Sequence, residues 1–529
     1  MADFDADVIV IGSGAVGSNA AYELAKQGLS VILMEAGPRL PRWKILQNFR
    51  ASPRKGNHND PYPNLPYASN SFTDGYLENT GSFDLRPGML RLLGGTTWHW
   101  AAATWRFTPE DMKLNSLYGV GRDWPIGYDE LEPFYGLAEV ELGVAGSDTQ
   151  DQSGQGRDLA YPPRSTPYPA PPEADTYYFA RLRDRIGAEG YNFVHEPNAR
   201  PTVTYDGRPA CTGNNNCMPV CPIGAMYSGN MTAQKAEDEG VQIITEATAY
   251  NLEKGEGGKI VAVHYKTPDA ESHRLTAKYF MVAANGFETP KLLMISDVAN
   301  SSDQVGRNLM DHSGMGLQFL ADEALWPGRG PVQQGGIFNW REGEFRREHS
   351  AIKHALSNNV PNKMIAERLL AQGIVGTELD EKIRDMSARF VDVSTVFEML
   401  PHPENRLQPH ATRKDALGIP TLSINYDIDD YVKAAVPVVK EDYANFVRIM
   451  GGEVIEDDTG FQNRDHIMGT VIMGDDPATS VVNGECRTWD HDNLFLATTG
   501  VIPASGLINP TLTAVALAIR SAQIIAKEI

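Results

Sequence analysis

Apolar runs and helical periods alternate from the start of the chain. In "ADVIVIGSGAVGSNAAYELAKQGLSVILMEAG" a β-branched run, Val8 to Ile11, enters a glycine turn; helical spacing follows over Asn19 to Gln27, and a buried-strand pattern over Ser30 to Glu35. The order predicts strand, turn, helix and strand, one βαβ unit. Strand and helix patterns return in "EGVQIITEATAYNLE", "GGKIVAVHYKT" and "YFMVAANGFETPKLLM". Between these stretches, Asn57 to Ser71 reads as a Pro/Asn-rich loop. Ser147 to Asp158 reads as a polar loop that runs into the connector "YPPRSTPYPAPP". From about Leu317 to Met450 charged helical patterns such as "TELDEKIRDMSARF" mix with alternating ones such as "PTLSINYDI", which predicts a second domain inserted into the first. The closing "NPTLTAVALAIRSAQIIAKEI" reads as an amphipathic helix opened by Asn509 and Pro510. No internal repeat is found.

At 529 residues the chain is too long for one compact core and can enclose a large cofactor. Hydrophobic content of 42% with 22% charged residues fits a globular protein, and 49 Gly with 34 Pro fits many turns. A formal charge of −21 excludes nucleic acid and anionic lipid as general partners. The opening "MADFDADVIVIGSGAVGS" carries acidic residues and glycines where an export signal needs basic residues and a cleavage site. No apolar run approaches the roughly 18 residues of a membrane helix. The expectation is a chain without its own signal, associated with a membrane only through partners.

Gly12, Gly14 and Gly17 form G-x-G-x-x-G between strand and helix, and Glu35 ends the next strand. The glycines allow a tight turn and close approach of a pyrophosphate to the helix N-terminus, while Glu35 can accept a ribose hydroxyl. An acidic residue there disfavours a 2′-phosphate, so FAD or NAD is expected rather than NADP.

"RLLGGTTWHWAAATWR", "AANGFETPKLLM", "VGRNLMDH", "DHIMGTVIMG" and "NLFLATTGVIPASGLINPTLT" resemble, in order along the chain, the motifs of the glucose-methanol-choline (GMC) oxidoreductases. The resemblance implies FAD. On these motifs it places cofactor contacts at Gly94, Gly95, Thr96 and His99, at Asn285, at Gly500 and at Pro510. His99 has two readings: some family members attach flavin covalently through a comparable histidine, whereas a non-covalent His99 would only line the pocket.

Hydride transfer from an alcohol needs a base for the hydroxyl proton, a donor for the developing alkoxide, and a flavin. The resemblance assigns the base to His466 and the hydrogen-bonding partner to Asn509. Taken alone, His466 could be an ordinary histidine and Asn509 a helix cap.

Cys211, Cys217 and Cys221 lie in "CTGNNNCMPVCPIGA" with spacing C-x5-C-x3-C, three of the four cysteines within eleven residues. Zinc lacks a local fourth ligand, since no histidine lies between His195 and His264. A disulfide leaves one thiol over, and three thiolates suit a [3Fe-4S] cluster. Cys486, in an apparent strand, reads as a structural cysteine. The cysteine stretch, "GVGRDWPI" and "GGTTWHWAAATWR" are similar to the large subunits of bacterial membrane-associated FAD-dependent glucose, gluconate and fructose dehydrogenases. That resemblance implies the three cysteines as [3Fe-4S] ligands and a small subunit carrying the export signal. It also implies a multihaem cytochrome c subunit and a periplasmic site on the inner membrane.

Relatives commonly have Asn before the catalytic histidine, where this chain has Asp465. Inside the pocket its charge would raise the pKa of His466 and disfavour a sugar acid; pointing away, it would be a solvated carboxylate.

The expected fold is α/β. A Rossmann-like FAD-binding domain is assembled from 1–45, 86–106, 207–316 and 451–529. An α+β substrate domain with an antiparallel sheet occupies 107–206 and 317–450. The expected function is oxidation of a sugar or sugar-acid hydroxyl, with electrons leaving through the cluster to cytochrome c. A GMC-type lyase, an oxidase and a non-catalytic electron-transfer subunit are the rival readings.

Overall fold

The computed structural model describes residues 4–52 and 59–529; positions 57 and 58 of the first expected loop lie outside the described residues. Four helices bear on the site: α1 (Ala15–Lys26), α2 (Gly229–Asp238), α3 (Asn285–Ile295) and α4 (Thr511–Glu528).

The first βαβ unit forms as its pattern requires. Strand Ala6–Ile11 pairs in parallel with Val31–Met34 on one side and with the far half of Ser272–Val282 on the other. Gln242–Ile244 and Leu494–Leu496 extend this parallel sheet. The near half of Ser272–Val282 pairs instead with Ile260–Lys266, which pairs with Thr248–Lys254, both antiparallel. Both faces of the parallel part are covered, so its strands read as unbroken apolar runs. Val8, Val10 and Leu33 pack with Ala20 and Leu24 of α1 and with Ala518 and Ile525 of α4. Ile9, Ile11 and Met34 face the main core.

A second sheet is wholly antiparallel, in the order Glu453–Gln462, Gly314–Leu320, Phe390–Phe397, Ile352–Ser357, Gln333–Trp340 and Phe193–His195. Its alternation of side chains sends Gln318, Lys353, Ser357, Asp392 and Ser394 to a cavity shared with the first lobe. Helix Asn362–Ala371 contributes Ile365 and Leu369 to a cluster with Leu320 and Phe390, against which Leu379, Ile383 and Met386 of helix Gly376–Arg389 pack. A third sheet joins Arg406–Lys414, Pro420–Asn425 and Leu77–Asn79.

The expected domain limits move in three places. The antiparallel sheet begins at Gly314 rather than at 317. Glu453–Gln462, assigned to the FAD lobe, pairs with Gly314–Leu320 and belongs to the substrate lobe. Helix Tyr128–Leu142, assigned to the substrate lobe, packs on α4, with the Tyr135 hydroxyl 2.8 Å from Thr513 Oγ1. Strand and helix partners lie well over a hundred residues away in sequence, and texture along the chain does not record them.

Candidate active site

A cavity of about 820 Å³ runs from the N-terminus of α1 to the face of the antiparallel sheet. Gly12, Gly14, Glu35, Gly95, Thr96, His99, Asn285 and Pro510 line it; Gly17, Gly94 and Gly500 stand behind its wall. A Cβ on Gly17 would lie 1.9 Å from the Gly12 carbonyl oxygen, so this glycine serves the packing of helix on strand. A Cβ on Gly14 would meet nothing within 4 Å, so the space above it, part of the cavity, is open. Helix α1 has no side-chain cap, and its first hydrogen bond runs from Ser18 N to Gly14 O; the unpaired first-turn N–H groups form an anion cradle. Gly94 takes a left-handed φ of 98°, and a side chain there would strike Asn230 N at 2.7 Å. A side chain on Gly500 would strike Thr470 Oγ1, also at 2.7 Å.

Glu35 is buried. Its carboxylate accepts from Ser13 N (3.2 Å), Ser13 Oγ (2.6 Å) and Gly37 N (2.9 Å), yet burial pushes its pKa up. The donor set and the bare Gly14 surface fit the adenosine and pyrophosphate of a dinucleotide. His99 stands in the cavity wall with Nε2 2.9 Å from the Gly88 carbonyl. Asn285 begins α3 with a left-handed φ of 53°, its Oδ1 accepting from Phe287 N and Glu288 N.

At the far end His466 and Asn509 meet, with His466 Nε2 2.8 Å from Asn509 Nδ2. An amide nitrogen only donates, so His466 Nε2 is the acceptor and carries no proton. The neighbours agree. His312 Nε2 lies 3.0 Å from the Gly506 carbonyl and 3.2 Å from that of Ser505, which places the His312 proton on Nε2 and leaves Nδ1 as an acceptor. His466 Nδ1 lies 2.9 Å from that atom and donates to it. The line leaves His466 Nε2 unprotonated at the cavity, its lone pair accepting from Asn509 Nδ2. Burial lowers the pKa of His466 well below the ordinary histidine value, and His312, Lys353 and Arg464 add to the effect. Burial likewise lowers His312, to about 4.

The loop bearing His466 is clamped by Asp311, whose carboxylate accepts from Arg464 N (2.8 Å) and His466 N (2.7 Å). Burial, and after it the charge of Asp465, raise the Asp311 pKa to about 6. Asp465 itself takes a left-handed φ of 63° and accepts from Gly88 N (3.1 Å) and Asn463 Nδ2 (2.7 Å). It lines the cavity but braces the loop that carries Gly88, and His466 is lowered rather than raised. The expected capping role of Asn509 is replaced: Pro510 stands at the N-cap of α4, and the Asn509 amide is engaged with His466 and Lys353.

All four cysteines are free thiols, so no disulfide forms in the cysteine loop. Cys217 and Cys221 are buried, and Arg200 Nη1 approaches Cys217 Sγ at 3.4 Å. Asn215 ties the loop to the other lobe through the carbonyls of Gly330 (3.1 Å) and Asn358 (2.6 Å). A thiolate donor set beside a guanidinium suits an anionic centre in its chemistry. Among the described residues, however, no group of three His, Cys, Asp or Glu is arranged to hold a metal ion, so the sulfurs do not form a ready-made ligand set. Cys486 is not in a strand. It sits in a bend at φ 64°, where its carbonyl accepts from Leu496 N, and burial raises its thiol to about 11.

Residues 195–314 and 401–518 match the GMC oxidoreductase family, and residues 7–44 match the FAD dependent oxidoreductases. Over 540 residues, 99% of this chain and 98% of the relative, the sequence is 43% identical to the fructose dehydrogenase large subunit of Gluconobacter japonicus. The chain is a GMC oxidoreductase. It is also 29% identical to paromamine 6'-oxidase of Streptomyces fradiae, over 99% of this chain and 92% of that one. To the gluconate 2-dehydrogenase flavoprotein of Pantoea cypripedii it is 23% identical, over 99% and 94%. Its fold is shared with an Aspergillus oryzae formate oxidase variant at a TM-score of 0.67 and 14% identity, covering 100% of this chain and 99% of that one. The GMC oxidoreductase binds FAD, and its described helices include none long and apolar enough to cross a membrane.

The motifs thus reach His466, Asn509 and most of the cradle. Sequence reasoning missed the roles of Asp311 and His312, although both lie in the quoted "VGRNLMDH". It also missed Lys353, whose one signal is a lysine in the strand pattern "IKHALS".

Proposed function

We propose that this GMC oxidoreductase is an FAD-dependent dehydrogenase acting on a hydroxyl of a sugar or sugar acid. The observation that carries the reading is the line His312–His466–Asn509, which presents an unprotonated imidazole nitrogen and an amide donor to a cavity walled by polar side chains. FAD bound in the cradle supplies the hydride acceptor. His466 Nε2 takes the hydroxyl proton, and Asn509 Nδ2 donates to the substrate oxygen as charge grows on it. The 43% identity to a fructose dehydrogenase subunit makes D-fructose the first substrate to test, with glucose, gluconate, 2-ketogluconate and sorbitol beside it.

The reading includes a [3Fe-4S] cluster on Cys211, Cys217 and Cys221, a small subunit that supplies export, a cytochrome c subunit and a periplasmic location. Three free cysteines in one loop, two of them buried and one beside Arg200, support the cluster. Relatives named as a large subunit and a flavoprotein support the partners. A bound cluster would supply a one-electron centre.

Anaerobic addition of the correct sugar should bleach the flavin, and His466→Ala should slow that bleaching by at least ~10²-fold. Turnover with an unchanged flavin spectrum would favour a lyase instead. Faster reaction with a one-electron acceptor than with oxygen should separate dehydrogenase from oxidase. Iron and acid-labile sulfide should approach three irons per chain, about the content of a [3Fe-4S] centre; zinc or no metal would remove the cluster from the reading.

A further inference from the structure

The strand Ile352–Ser357 carries a lysine into an apolar interior. Lys353 is 2% exposed, its ammonium 5.8 and 6.0 Å from the ring centroids of Trp105 and Phe338, and it opens on the cavity that holds His466 and Asn509. An ammonium has three N–H donors. Among the described residues Lys353 makes one hydrogen bond, to Asn509 Oδ1 at 3.4 Å, which leaves two donors for the cavity. The two arginines nearby have their terminal nitrogens engaged, although among the described residues the Nε of each has no hydrogen-bond partner. Arg464 donates to Gln462 Oε1 at 3.0 Å and to the Met315 carbonyl at 3.2 Å; Arg341 donates to the carbonyls of Gln152 and Arg106 at 2.7 and 2.8 Å.

Burial pushes the Lys353 pKa down; the Glu196 carboxylate opposes this, while Arg341 and Arg464 add to it. Glu196 is itself buried. It accepts from Asn198 Nδ2 at 2.6 Å, and its Oε2 has no hydrogen-bond partner. Buried charges short of partners cost stability, and a ligand that completes their shell removes part of that cost.

The position of Lys353 is specific. Its bond to Asn509 Oδ1 turns the other end of the amide, Nδ2, toward His466 Nε2, so ammonium and base are separated by one amide group. A hydroxyl set between His466 and Asn509 Nδ2 would place the oxygen on its neighbouring carbon toward the ammonium. We propose that Lys353 is a substrate-binding residue that donates to this second oxygen and selects polyhydroxylated substrates over simple alcohols. The inference rests on the sugar-oxidising reading of the cavity. It also gives the ammonium a second effect: as the hydroxyl proton passes to His466 Nε2, the positive charge stabilises the oxygen left behind.

The test compares FAD-loaded wild type, Lys353→Met and Lys353→Arg. Anaerobic flavin bleaching is followed against concentration of D-fructose, D-glucose, D-gluconate and sorbitol, and of cyclohexanol, which lacks the neighbouring oxygen. Lys353→Met should raise the half-saturating concentration of the reducing sugar roughly 10- to 100-fold and lower its preference over cyclohexanol by a similar factor. Because the lysine cation helps to hold His466 neutral, its loss should also move the low-pH limb of the bleaching rate to higher pH. Lys353→Arg keeps the charge and should keep the limb in place. If wild type is bleached by a sugar and flavin-replete Lys353→Met binds it equally well, this inference is overturned while the dehydrogenase reading stands. If no sugar bleaches wild type, both fall. Should Lys353→Met fail to hold FAD, Lys353→Arg decides: an unmoved limb with retained sugar preference supports the inference, and loss of both overturns it.

Discussion

A histidine can serve as a base only at the nitrogen that carries no proton. At His466 that atom is Nε2, because the carbonyls of Ser505 and Gly506 set the proton on His312 Nε2, and His312 in turn accepts the Nδ1 proton of His466. Replacing His312 with Phe removes that acceptor; kcat/KM should fall ~10²-fold or more with flavin content unchanged, measured by anaerobic stopped flow. Protonation follows the same geometry. His466 is held well below 6.5 by burial first and by nearby cations second, and as the proposed base it would work unprotonated. Activity should therefore be flat through neutral pH, with the base limb appearing only below 6.5. The residue types were legible from the motifs, but the tautomer was not, since it depends on carbonyls contributed from elsewhere in the fold.

Among elements, the turn into α1 separates packing from binding. Gly14→Ala meets no protein atom and adopts a φ of −63° without strain, so the apoprotein should unfold at an unchanged denaturant midpoint while FAD uptake weakens. Gly17→Ala should instead lower the midpoint, because its Cβ would collide with the Gly12 carbonyl oxygen. A second element-scale lock joins the loop after Leu85 to α3. Glu288 pairs with Arg91 at 2.8 Å and Lys291 at 2.6 Å and also holds the Tyr76 hydroxyl. Burial would raise the Glu288 carboxyl, but Arg91 and Lys291 overcome it and hold it at about 2. The unfolded carboxyl titrates near 4.5, so the stabilisation is complete above that pH and is lost as pH falls toward 2. Glu288→Gln leaves two buried cations uncompensated. It should cost roughly 3–5 kcal/mol in denaturant unfolding at neutral pH, and the cost should shrink as the pH is lowered.

For the whole molecule, the cavity between the lobes makes FAD part of the folding equilibrium. A ligand held at 100 times its Kd stabilises by about 2.7 kcal/mol, so stripping FAD should lower Tm, and adding it back should restore Tm in proportion to the logarithm of its concentration. The same cavity shows how two lobes divide the work. The parallel sheet and α1 supply the anion cradle, the antiparallel sheet supplies the polar wall with Lys353, and the loop 464–466 with Asn509 brings the base to where they meet. Texture along the chain did not anticipate the pairing of Glu453–Gln462 with Gly314–Leu320 or the contact of Tyr128–Leu142 with α4, whose partners are distant in sequence.

The sequence by itself determined what is local: the βαβ unit, the glycines and Glu35 of the cradle, the cysteine loop and the closing helix, and through its motifs it proposed His466 and Asn509 as the reacting pair. Each of these rests on a period, a turn or a spacing contained within one short window. Tertiary structure decided what needs two windows at once. His312 reaches His466 across 154 positions and Lys353 reaches Asn509 across 156. Asn509 serves the base instead of capping α4, and Asp465 braces the loop at Gly88. The pattern along a chain reports which residues are buried, and the fold alone reports which of them touch.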